Sequence, residues 1–174
     1  IKIASGYNTN IFNGSIVSIV AAGTIEIVTT NGDNSTGFPA GTVGVFVGCT
    51  YTDPNTDQLT FRQHFPAGTV ASDAKAYVVD DPDVVFQVQA DASVAQAALG
   101  SNAHLAAVQS SSTGSTTTGN STTALDATVN TTSGFAFRIV DFVDSPSSSV
   151  GDAFTDVLVK FNPDSHSYLN KTGI

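Results

Sequence analysis

The sequence predicts a mainly β fold: a β-barrel or sandwich of short antiparallel strands, with one or two short helices and one long Ser/Thr-rich loop. Three observations predict it. Ser and Thr make up roughly a quarter of the chain, a composition that suits strands and turns. The residues that usually coat long helices are scarce, and Glu26 is the only glutamate. Short β-rich runs recur between turn residues at the spacing of a sandwich or barrel. With 174 residues, one domain spanning 1–174 is expected, long enough to bury a core without disulfides or metal.

Along the chain, SIVSIV (15–20) and TIEIVTT (24–30) flank Ala21-Ala22-Gly23 and read as a hairpin. NGDNSTG (31–37) consists of turn residues and reads as an exposed loop. VGVFVGCTY (43–51) is almost wholly apolar, as a buried strand would be. LTFRQHF, AKAYVVD and VVFQVQ follow as strands, the last placing Val84, Phe86 and Val88 on one side and Val85, Gln87 and Gln89 on the other. DASVAQAALG predicts a helix of two or three turns, with Asp91 as its N-cap and Gly100 as its stop. Residues 110–123 (SSSTGSTTTGNSTT) are low-complexity and read as an exposed, flexible loop or arm. FAFRIVDFV and TDVLVKF return to strand character, and 162–174 is a C-terminal tail with little regular pattern.

The hexamer FPAGTV occurs twice, at 38–43 and at 65–70. Proline sets φ at the second position of a type I turn and glycine is favoured at the fourth. The residue before proline is pushed toward extended geometry, and Thr-Val then opens the next strand. Phe38, Pro39 and Gly41, and likewise Phe65, Pro66 and Gly68, are therefore expected to form strand–corner–strand devices plugged by an aromatic ring. They serve the core or a subunit contact. The sequences after the two copies differ, which disfavours duplication of a whole unit. Paired recognition sites are the third reading.

Composition and charge exclude several functions. A net charge of −9 with six scattered basic residues disfavours nucleic acid and anionic membranes. No apolar run approaches the roughly 20 residues of a membrane helix. A single cysteine rules out an internal disulfide framework, and Cys49 within VGVFVGC reads as a buried free thiol. Asp53, Asn55 and Asp57 have the alternating spacing of a calcium loop, but Gln58 and His64 stand where glycine and glutamate are required. A β-hairpin tip is the leading reading there. Asp80, Asp81 and Asp83 around Pro82 form either an acid–base group or, more simply, a solvated turn. His64, His104 and His166 lack zinc spacing, and no nucleophile elbow, P-loop or dinucleotide fingerprint occurs. No catalytic residue, cofactor or metal is expected, and the chain does not read as an enzyme.

IASGYNTNIFNGSIV, GVFVGCTYTDP, HFPAGTVASDAKAYVVDDPDVVFQVQ, FAFRIVDFV and the final NKTGI together resemble a family of tailed-bacteriophage structural proteins, of marine phages in particular. These are head decoration or cement proteins. The likeness covers most of the chain and is most distinctive from Gly44 to Gln89. In that family further residues usually precede the Ile-Ala-Ser-Gly segment, so Ile1 is expected to follow a removed or unrecorded piece. The resemblance implies the outer capsid surface of a virion assembled in a bacterial cytoplasm, the major capsid protein as partner, and a homotrimer. It transfers no catalytic residues. The alternative is a virion adhesin or tail component that binds a host glycan or protein, although the chain has no Trp for stacking on sugars.

Overall fold

The apolar run from Thr42 to Thr52 becomes the longest strand, and the first of two sheets assembles around it. The computed structural model describes residues 1–174. In chain order the strands are β1 (Ile16–Ile19), β2 (Ile25–Ile27), β3 (Thr42–Thr52), β4 (Leu59–Arg62), β5 (Lys75–Val79), β6 (Phe86–Gln89), β7 (Asn102–Ala103), β8 (Phe137–Phe142) and β9 (Asp156–Phe161). All the strand pairings are antiparallel, and neither sheet closes into a barrel. The fold is mainly β and sandwich-like.

Val45 pairs with both Ile16 and Val79, and Cys49 with both Arg62 and Ala76. Hence β5 takes one edge of β3, while β1 and β4 share the other in succession. A bulge between Phe46 and Gly48 leaves Val47 as the extra residue opposite β5. Gly44 is needed where the two strands meet closely, because a Cβ there would collide with the Val79 carbonyl oxygen. The N-terminal segment joins single bridges on both sides, Lys2 opposite Lys75 and Ile3 beside Ile25. It thereby ties β5 to β2 around a core of Ile11, Val17, Val43, Phe46, Tyr51 and Phe65, among others.

The second sheet runs β6-β9-β8-β7. Strict alternation in β9 buries Val157, Val159 and Phe161, and β8 adds Phe137 and Ile139. These side chains meet Ile16, Val28 and Phe38 from the first half of the chain, so this core lies between the sheets. Phe86 and Val88 pack against it while Gln87 and Gln89 face solvent, as the alternation in the sequence predicts. The hairpin around Ala21–Gly23 also forms, with Val17 opposite Ile27.

Three segments differ from expectation. The helix predicted over 91–100 is a single 3-10 turn at Gln96–Ala98. Asp91 is not a cap: its carboxylate accepts the Ala127 N–H at 2.9 Å, and its own N–H donates to the Leu125 carbonyl. Val94 N–H likewise donates to Thr155 Oγ1. These distant partners outcompete a helix too short to nucleate alone. The other short helix is also a 3-10 turn, at Pro163–Ser165.

The Ser/Thr-rich loop 110–123 lies at the surface, yet it folds on itself and against the body instead of projecting as an arm. Thr122 N–H donates to Thr113 O, Ser121 N–H to Asn13 O, and Asn13 N–H to Gly119 O. The reason is packing as well as hydrogen bonding, because Gly114 sits so close to the buried Phe12 ring that a Cβ would collide with it. The tail is also partly embedded: Asn162, Ser165 and His166 are buried. Asn162 Nδ2 donates to the Phe135 carbonyl at 2.7 Å. Of 79 backbone–backbone hydrogen bonds, only 25 lie within strands or helices, so the loops satisfy their own main chain.

Candidate binding surfaces

The two FPAGTV copies are corners, but different ones. Each closes a turn one residue later than expected: Thr42 N–H donates to Pro39 O at 2.9 Å, and Thr69 N–H and Oγ1 donate to Pro66 O. Proline thus occupies the first turn position and not the second. It is the hydroxyl-bearing Thr after glycine that closes the loop onto the proline carbonyl. In the second copy Gly68 has φ +75°, which the third position of a type II turn requires. Gly41 has no such φ; it is needed because a Cβ would collide with the Ile19 carbonyl, to whose own residue Gly41 O is hydrogen-bonded. Strand β3 starts within the first copy, at Thr42, whereas β5 starts five residues after the second. Val43 is accordingly buried and Val70 exposed.

Each phenylalanine plugs a different core. Phe38 packs between the sheets, edge-on to Phe137 at 5.4 Å. Phe65 is wholly buried in the first sheet's core, edge-on to Tyr51 at 5.8 Å, and its main chain pairs with Ile11.

Asp53, Asn55 and Asp57 lie in the β3–β4 hairpin turn. Asp53 Oδ1 accepts the Asn55 N–H at 2.9 Å and its other oxygen lies 3.8 Å from Arg62. Asp57 adopts φ +52°, a left-handed turn conformation that Asp tolerates. The acidic corner between β5 and β6 does not converge with His64. Asp80 accepts the Tyr168 hydroxyl at 2.9 Å, Asp83 pairs with Lys160 at 3.0 Å, and Asp81 accepts the Asp83 N–H. His64 instead stacks on Phe12 at 5.8 Å, and burial holds its imidazole below the ordinary range. His104 faces Asp126 at 3.9 Å. His166 is buried with Nε2 unpartnered. Its burial depresses the imidazole against the opposing pull of the Val43 backbone, Asp80 and Asp81. The Cys49 thiol is buried and pushed up to about 12 by that burial, leaving it protonated and unreactive.

Two surface features stand out, a cleft and a face. A cleft of ≈ 250 Å³ opens between the sheets, lined by Val45, Phe86, Val88, Leu105, Leu125 and Phe137. The second feature is a face. Lys2 stands opposite Lys75, Lys75 opposite Thr50, and Thr50 opposite Phe61. Directly opposed residues share a face, so these four form one row across the outside of the first sheet. Leu59, two residues along β4, and Tyr77, two along β5, extend the same side, with the bulged Val47 beside them. Val47, Leu59, Phe61 and Tyr77 are 43, 65, 71 and 49% exposed.

The sequence reading missed this row because LTFR looks like any half-buried strand. Gln109 was also missed: it is buried and cross-links Ile16 N–H, Ile16 O and Val28 O at 2.9, 3.2 and 3.0 Å. Set against protein-family models, curated proteins and solved structures, the chain matches none.

Proposed function

We propose that this chain is a virion structural protein that decorates and stabilises a tailed-phage capsid by binding the outer shell lattice as a trimer. The observation that carries the reading is the resemblance over Gly44–Gln89. That stretch builds β3 to β6 and presents all four side chains of the exposed apolar row. A protein that decorates a lattice as an oligomer needs such a surface for contact between its subunits, and a monomeric soluble protein rarely keeps one free. Weak contacts repeated by an oligomer on a periodic shell multiply through effective concentration. In this reading the chain is not an enzyme, its partner is the major capsid protein, and it sits on the outer surface of the virion.

Co-sedimentation with expanded, undecorated shells, titrated to saturation, tests it. A plateau at a fixed stoichiometry in multiples of three per lattice site is the expected result. Absence of binding removes the decoration reading and directs the search to host-surface glycans.

A further inference from the structure

We infer that the outer face of the first sheet, built from Val47, Leu59, Phe61 and Tyr77 with Lys2 and Lys75, is where a second copy of this chain docks, on an acidic surface of that copy. The face is the uncovered half of a sheet whose other half is covered. Beyond the bulge at Val47, Ile16 and Val45 of the same sheet pack into the core shared with the second sheet. On the near side none of residues 1–174 covers it, and β4 leaves a strand edge open beside it.

Charge selects the occupant. Lys2 and Lys75 stand directly opposite each other, an arrangement that destabilises an isolated sheet. No carboxylate lies within ion-pair distance of either. Asp73 feels Lys75, but its carboxylate is already held by Thr52 N–H and Oγ1, the latter at 2.7 Å. An apolar strip bearing two unpaired cations fits a partner that is apolar and acidic. The chain itself, with 15 acidic against six basic residues, supplies acidic surface for such a contact.

Because the cations of the face call for acidic surface, which lies off this face, the contact is head-to-tail, the face of one copy against a different surface of its neighbour; such contacts close into a ring when the rotation between copies permits. Ring size, a trimer, rests on the decoration reading; the contact rests on the face.

Analytical ultracentrifugation of the full chain tests it, with Phe154→Ser as a control at an exposed apolar residue elsewhere. The wild type should sediment as a closed oligomer, and so should F154S. Phe61→Ser combined with Tyr77→Ser should give a folded monomer with the far-UV spectrum of wild type, since both side chains are exposed in the single chain. Lys2→Gln with Lys75→Gln should raise the dissociation constant by about tenfold or more. A monomeric wild type overturns the inference, as does an oligomer indifferent to either pair of changes. A monomeric wild type whose shell binding is abolished by F61S with Y77S would assign the face to the shell, leaving decoration standing. An oligomer that depends on Phe61 and Tyr77 but binds no shell would uphold the inference and remove decoration.

Discussion

Replacing Phe65 by Ala should be among the most damaging single changes in this protein. The ring is 0% exposed, contacts Tyr51 edge-on at 5.8 Å, and belongs to the core enclosed by β3, β5 and the N-terminal segment. Truncation removes about 150 Å² of buried aromatic surface, which at about 25 cal/mol per Å² amounts to about 4 kcal/mol. The void cannot collapse fully, because Phe65 is pinned by two main-chain hydrogen bonds to Ile11, so a loss of about 3–5 kcal/mol is expected. For a chain of this size that corresponds to roughly 10 °C in melting temperature. The assay is urea unfolding followed by far-UV circular dichroism and tyrosine fluorescence, since there is no Trp. Comparison at equal m-value isolates stability from changes in compactness. Compared at dilutions where both are monomeric, Phe61→Ala, at a ring 71% exposed, should stay within about 0.5 kcal/mol of wild type. A loss below about 1 kcal/mol for Phe65→Ala at unchanged m would refute the assignment of this corner to the core. If shell binding were lost while stability held, the corner would be a recognition element instead.

Gly114→Ala should destabilise by about 1–3 kcal/mol, because its new methyl is forced onto the buried Phe12 ring, whereas Gly173→Ala, with open space around it, should be silent in the same melts. Cys49 should resist Ellman's reagent in the native state at pH 8 and react fully once unfolded; rapid native labelling would contradict a thiol pushed up to about 12. His64 and His166 are both held below the ordinary 6.5 by burial. The unfolded chain therefore takes up their protons first as pH falls. The stability they contribute should be complete above about pH 6.5 and decline as pH drops toward their native values. NMR titration of the imidazole protons with either midpoint at or above 6.5 would contradict this.

Local chemistry made much of the fold legible. The apolar run around Phe46, the alternation of VVFQVQ, the Ala-Ala-Gly turn and the buried Cys49 each follow from residue type and spacing, which act within a few residues. What the sequence alone determined was thus a mainly β chain, its principal strands, and two corners each sealed by a phenylalanine. Tertiary structure decided what depends on partners far along the chain. It drew Asp91 to Ala127 and so dissolved a helix that local signals favoured. It held the Ser/Thr loop down through Gly114 and Phe12, a contact that composition could not announce. It gave the same hexamer two turn geometries, because Gly41 is crowded by Ile19 while Gly68 is not crowded and needs a positive φ. It also set Lys2 opposite Lys75, 73 residues apart in the chain, and left the face beside them uncovered. Strand pairing over such distances is fixed by which surfaces can be buried together, and that information is carried by the whole chain at once.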